Sequence, residues 1–210
     1  MTYLSSNQLK QYEDKGFVSP IDIFSKDKAK EIRNEIELIE KEMPNELEKS
    51  GRYNAHLISP LLDEVTHNSE ILDAVQSLIG NDILVCGTTL FIKNPNVKGF
   101  VSYHQDAKYI GLEPHNWVTA WVAITDSNEH NGCMRVWSGS HKDNLKDHDQ
   151  NFNERNLLTR GQTIKNVPKK KTIPLILKAG QMSLHHPTVV HGSNLNHSND
   201  RRIGFVIQSY

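Results

Sequence analysis

Phe100-Val101-Ser102-Tyr103-His104-Gln105-Asp106 is the stretch whose reading decides the fold. Read as a strand, it alternates its side chains between two faces, so His104 and Asp106, two positions apart, leave on the same one. One imidazole nitrogen and one carboxylate oxygen then converge on a single point. His191, in His191-Gly192-Ser193 near the C-terminus, adds a second imidazole if it faces them from the opposite side of a barrel.

Outward from that strand the pattern is β-rich. Ile83 to Lys93, Trp117 to Ile124, Cys133 to Trp137, Thr172 to Leu177, Gln181 to His185 and Ile203 to Tyr210 are runs of β-branched and aromatic residues broken by Gly, Asn and Pro. Upstream the period changes to that of helices. Ser5 or Ser6 caps a short helix that Gly16 ends, and Ser25 starts a longer one in which Ala29, Ile32, Ile36, Ile39 and Met43 share a face until Pro44. A third helix runs from a Ser69 cap to Ile79, with Gly80 after it. Helices first and strands after disfavour a parallel βαβ sheet. The expected fold is mostly β with flanking helices: a double-stranded β-helix, or cupin-like jelly roll, with the N-terminal helices packed on one sheet. We expect a single domain over 1–210, with a helical support over about 1–80 and the jelly-roll core over about 81–210. The polar stretch Lys142 to Lys171 reads as a long loop, and its Lys169-Lys170-Lys171 run as a solvated turn.

Composition narrows the function. The 210 residues carry a formal net charge of -1, which leaves no electrostatic footprint for nucleic acid and no basic membrane anchor. The expected partner is a small molecule; oligomeric state is left open. Cys86 and Cys133, far apart and each in an apolar run, read as buried thiols of a reducing compartment. Met1 to Lys15 has no apolar leader core, and no segment approaches the roughly 20 apolar residues of a spanning helix, so the expectation is a soluble, cytoplasmic protein.

The candidate site follows from donor chemistry. Two histidines and one carboxylate on one face of an octahedron leave three adjacent positions open, a set suited to non-haem Fe(II) and O2. Ser193 follows His191 by two residues, and Arg201 and Arg202 open the last apolar strand, so a hydroxyl and a guanidinium are available to hold a carboxylate by charge-assisted hydrogen bonds. Lys93, on a strand leading toward the site, either meets a carboxylate or ends its strand in solvent. Of the remaining histidines, His141 reads as a strand-end hydrogen-bonding residue, and His185 or His186 as structural, with one of them free to turn inward. His115 reads equally as a substrate contact or a surface residue.

These residues resemble a known family. His104-Gln105-Asp106, Trp117-Val118-Thr119-Ala120-Trp121, Asn131-Gly132-Cys133-Met134-Arg135-Val136-Trp137-Ser138-Gly139-Ser140-His141 and His191-Gly192-Ser193 with Asn196 and Arg201-Arg202 look like the phytanoyl-CoA dioxygenase family of Fe(II)/2-oxoglutarate oxygenases. Gln8 to Pro20 looks like that family's N-terminal helix and first strand. The resemblance implies Fe(II) held by His104, Asp106 and His191, with 2-oxoglutarate and O2 as cosubstrates and ascorbate as an additive in vitro. It also implies that Arg202, chosen over Arg201 by its spacing from the distal histidine, holds the far carboxylate with Ser193 assisting, and that Trp121 lines the cosubstrate pocket. Halogenating relatives lack the carboxylate, so Asp106 disfavours halogenation and leaves hydroxylation of a small-molecule C–H bond. Two departures stand out: Ser138 replaces the usual proline of the Pro-Gly-Ser-His turn, and the chain stops at Tyr210 where many relatives continue, which suits a short member or a fragment. The competing readings are a cupin-type metalloenzyme that does not use 2-oxoglutarate, and a non-catalytic jelly-roll binding module.

Overall fold

Capping sets the N-terminal helices. In the computed structural model, which describes residues 3–44, 47, 52–150, 155–158 and 160–210, α1 (Ser6–Lys15) starts behind Ser5. The Ser5 hydroxyl accepts from the Gln8 amide and the Gln8 side chain accepts from the Ser5 amide, a reciprocal pair that satisfies two otherwise unpaired donors. α2 (Lys26–Glu42) is capped by Ser25 and buries Ala29, Ile32, Ile36 and Ile39, whereas Met43 lies past its end and is exposed. α3 (Pro60–Thr66), unforeseen in the sequence, opens on Pro60 behind a Ser59 cap. The cap of α4 (Ser69–Ile79) is Asn68 and not Ser69: the Asn68 carboxamide accepts from the Glu70 and Ile71 amides, which makes Ser69 the first helical residue.

The strands are β1 (Phe17–Asp22), β2 (Val85–Lys93), β3 (Val101–His104), β4 (Val118–Ala123), β5 (Met134–Trp137), β6 (Asp149–Gln150), β7 (Gln162–Thr163), β8 (Thr172–Pro174), β9 (Gln181–His185), β10 (His191–Ser193) and β11 (Arg202–Ser209). One sheet has the order β1-β9-β4-β11-β2, the other β3-β10-β5-β8, and β6-β7 form a small ribbon. The strand pairs are antiparallel. This is the expected jelly roll, with β1 from the N-terminal segment at one edge of the larger sheet. A last short helix, α5 (Ala107–Ile110), follows β3 directly.

Period-two alternation gives the larger sheet two different faces. Val118, Ala120 and Val122 of β4, Met182 and Leu184 of β9, and Ile203, Phe205 and Ile207 of β11 belong to one apolar core with the buried residues of α2, α3 and α4. That face is purely structural. The residues between them, including Trp121, Ala123 and Val206, join Met134, Val136 and Val189 in a second core between the sheets. It is this inner face that meets the site.

Between Lys142 and Lys171 the chain forms the β6-β7 ribbon and ends in a 3-10 turn of exposed lysines at Lys169–Lys171; residues 151–154 and 159 lie outside the described ones. Both cysteines are free thiols. Cys133 is buried, but Cys86 is exposed, contrary to the sequence expectation, because β2 is an edge strand. Among the described residues no helix is long and apolar enough to cross a membrane.

Candidate active site

His104 and His191 face each other because they are register partners across the antiparallel pair of β3 and β10. A bulge follows immediately, and Gly192 makes it possible: a Cβ there would lie 2.9 Å from the Val101 carbonyl oxygen and 3.0 Å from the Tyr103 nitrogen. Each imidazole is oriented by the backbone two residues before it. His104 Nδ1 donates to the Ser102 carbonyl at 2.9 Å, and His191 Nδ1 donates to the Val189 carbonyl at 3.1 Å. A carbonyl only accepts, so the proton of each neutral ring sits on Nδ1 and both Nε2 lone pairs point inward. Burial, then the neighbouring His104, pushes His191 down to about 3, which keeps that lone pair bare at neutral pH.

Asp106 arrives by a different route from the one its spacing suggested. β3 ends at His104, and Asp106 stands at the N-cap of α5 with helical dihedrals, φ -58 and ψ -35. The same-face argument therefore fails in its premise, yet the carboxylate still converges: Oδ1 lies 3.2 Å from His104 Nε2 and 3.6 Å from His191 Nε2. Gln105 fixes this turn. Fully buried, it donates from Nε2 to the Thr188 carbonyl at 2.6 Å, accepts the Lys146 amide on Oε1 at 2.8 Å, and sends its own amide to His148 Nε2 at 3.1 Å. The other carboxylate oxygen, Oδ2, accepts from Thr119 Oγ1 at 2.8 Å and from His185 Nε2 at 3.2 Å. Burial pushes the Asp106 carboxyl up, but in acid the protonated forms of His191 and His104, together with the hydrogen bond from His185, outweigh it and hold the group well below the usual carboxylate range. His185 is thus the inward histidine of its pair. Its Nε2 must carry a proton to donate to a carboxylate, which distinguishes it from His104 and His191. Sequence spacing does not reveal Gln105 or Thr119 and leaves open which of His185 and His186 turns inward, since their roles depend on strands that meet only in the fold.

Among the described residues, the ligand atoms of His104, Asp106 and His191 form a group within 4.8 Å of one another, compact enough for one metal ion. They open into a cavity of about 350 Å³ with an apolar flank that includes Phe91, Ile110, Leu158 and Val206. At another part of its wall stand Ser193, Trp121 and Arg202. Arg202 is 2% exposed, its guanidinium lies 5.2 Å over the Trp121 ring, and its Nε has no hydrogen-bond partner. Burial lowers it to about 10. Arg201 points the other way: it grips Glu40 of α2 with two hydrogen bonds, at 2.5 and 2.8 Å. Lys93 is also buried, not a solvated strand end, and its Nζ lies 2.6 Å from Ser193 Oγ. The two other candidate histidines of the sequence are otherwise engaged. His141 Nε2 donates to the Glu13 carbonyl at 3.0 Å, and His115 Nδ1 donates to the Leu112 carbonyl at 2.9 Å.

A double-stranded β-helix whose interior joins two histidines, one carboxylate and a buried arginine defines a class of metal-site jelly rolls. Within that class the chain belongs to the phytanoyl-CoA dioxygenase (PhyH) family, whose model matches residues 12–204. It is 27% identical over 217 residues to the rat peroxisomal phytanoyl-CoA dioxygenase, covering 92% of this chain but only 64% of the rat protein. It is 24% identical to a probable alpha-ketoglutarate-dependent hypophosphite dioxygenase of Stutzerimonas stutzeri, covering 94% of this chain and 75% of that one. Among solved structures the apo form of the non-heme monooxygenase ThoJ superposes with a TM-score of 0.84 at 30% identity, over 95% of this chain and 75% of ThoJ.

Proposed function

We propose that this protein is an Fe(II)- and 2-oxoglutarate-dependent dioxygenase that hydroxylates a C–H bond of a small molecule with release of succinate and CO2. One observation carries the reading: a single cavity joins a compact two-histidine, one-carboxylate group to a buried guanidinium that forms no ion pair among the described residues. Leaving a guanidinium buried and unpaired costs several kcal/mol, which an anionic ligand offsets. The donor set suits Fe(II), with two bare imidazole Nε2 atoms, one carboxylate and room for further ligands.

In this reading His104, Asp106 and His191 hold the metal, while Thr119 and His185 fix the free carboxylate oxygen so that Oδ1 is the ligand atom. Arg202 takes the far carboxylate of 2-oxoglutarate. Ser193 assists it, Trp121 forms the wall behind the guanidinium, and Lys93 stands behind Ser193. When bound, iron and 2-oxoglutarate together supply the oxidising chemistry that activates O2. The chain supplies orientation, and the apolar flank excludes water from the reacting centre. The names of the rat, Stutzerimonas and ThoJ relatives support this class of chemistry. Residence in the cytoplasm belongs to the same reading, supported by two free thiols, although the rat relative's name places that protein in peroxisomes.

The test is anaerobic. Fe(II) and then 2-oxoglutarate are added to metal-free protein and the visible spectrum is recorded for the weak charge-transfer band of a chelated keto acid. We expect the band in the wild type and its loss in His191→Ala. Iron binding without the band would favour a metalloenzyme that takes its substrate directly, and unchanged succinate formation in Arg202→Ala would remove the clamp.

A further inference from the structure

Lys93 ends β2 directly opposite Arg202 of β11, so the two basic side chains share the inner face of the larger sheet. Its Nζ has three oxygen neighbours: the Gly132 carbonyl at 3.3 Å, Ser193 Oγ at 2.6 Å, and the Asn194 carbonyl in closer contact still. Two of these can only accept a hydrogen bond, and the hydroxyl can accept or donate. A neutral amine has two hydrogens and a lone pair. Its hydrogens go to the two carbonyls, and the lone pair receives the Ser193 hydroxyl hydrogen. An ammonium has three hydrogens, so the third is donated to Ser193 Oγ and the hydroxyl hydrogen turns away, toward the cavity that Ser193 lines.

We propose that Lys93 is a proton-linked positioning residue: a dicarboxylate arriving at Arg202 draws one proton from solvent onto Lys93, which releases the Ser193 hydroxyl hydrogen to the anion. The inference rests on the cosubstrate reading given above. The charge environment is consistent with it. Burial lowers Lys93 to about 6, with Arg202 as the second cause and Cys133 as a small opposing one. A bound carboxylate offsets the repulsion by Arg202 and adds its own attraction, so Lys93 takes up a proton on binding. The step makes one N–H bond and breaks one O–H bond of hydronium or of the buffer acid. Solvent supplies the proton and the amine's lone pair accepts it.

Proton uptake is read by anaerobic calorimetry on the Fe(II)-loaded full chain, titrating 2-oxoglutarate in buffers of different ionisation enthalpy. At about pH 7.5 the expected uptake approaches one proton per 2-oxoglutarate, and it falls toward zero below about pH 6, where Lys93 is already charged. Above that, affinity weakens by up to about tenfold per pH unit until the pKa of the liganded state is reached. Lys93→Met, which keeps the apolar stem and removes the titrating group, should bind with no uptake and with an affinity that does not vary over that range. Ser193→Ala keeps Lys93 and therefore the uptake, but should bind several-fold more weakly at every pH. Wild-type binding with no proton uptake overturns this inference and leaves the cosubstrate reading standing, as does uptake that persists in Lys93→Met. Should Lys93→Met fail to fold, the wild-type uptake and the Ser193→Ala affinities decide alone. Absence of 2-oxoglutarate binding at any pH overturns both readings.

Discussion

Gly204 lies on the inner face of β11, two residues from Arg202, with the Trp121 indole laid across it. A Cβ at that position would meet Trp121 Cζ2 at 2.1 Å and Cε2 at 2.5 Å, and the indole is itself buried under Arg202. Overpacking of this kind costs about 1–3 kcal/mol. We expect Gly204→Ala to destabilise the fold by that amount and to weaken 2-oxoglutarate binding, because the ring that carries the guanidinium must move. Pairing it with Trp121→Leu should recover part of the stability, read as a non-additive cycle in urea unfolding; strictly additive losses would mean that the ring and the glycine do not constrain each other. The same residue-scale view explains what the sequence disclosed about the site. His104, Asp106 and His191 stood out by donor type and spacing. Thr119 did not, and His185 stood out only as one of two histidines free to turn inward, since a threonine and a histidine inside apolar strands acquire meaning only once β4 and β9 bring them to Asp106.

At the scale of elements, α2 shows why the helices were legible. Ala29, Ile32, Ile36 and Ile39 recur at the helical period and are buried against the structural face of the larger sheet, while Lys30 and its charged neighbours face solvent. Ile36 is fully buried, so Ile36→Ala should cost about 2–5 kcal/mol, whereas Lys30→Ala should change stability by no more than about 0.5 kcal/mol. Equal urea midpoints for the two variants would contradict the assignment of faces. The elements that pattern did not reveal are short or lack periodicity. β10 is only His191-Gly192-Ser193, α5 is a single turn, and α3 spans two turns at most. β10 exists because β3 and β5 flank it, and α5 because Asp106 turns the chain at the strand end. Periodicity carries no such information about neighbours, which is why Asp106 was expected on the strand rather than just past it.

The whole molecule couples its N-terminal helix to the β-helix through a histidine, and this gives its stability a pH dependence. His186 follows β9, and its amide donates to the Gly16 carbonyl at the end of α1. The Thr188 amide lies 3.2 Å from His186 Nδ1 and the Thr188 hydroxyl 2.8 Å from it. An amide only donates, so His186 Nδ1 must be an unprotonated acceptor. Burial, then His141, His115 and His185, pushes His186 down to about 4 from an unfolded value of 6.5. The folded pKa is thus depressed for a base, and between those two values the unfolded chain binds more protons than the folded one. Stability must therefore fall as pH falls from about 6.5 toward about 4. In metal-free protein His191, pushed to about 3, adds a loss of the same sign over a wider window. Urea midpoints of the metal-free chain should decline steadily below about pH 6.5. His186→Gln, whose carbonyl oxygen can still accept from Thr188, should flatten the slope without removing it, leaving the share due to His191 and to His141 and His148, which burial also lowers. A curve unchanged by that substitution would mean that the contact between α1 and the β-helix does not depend on a neutral His186.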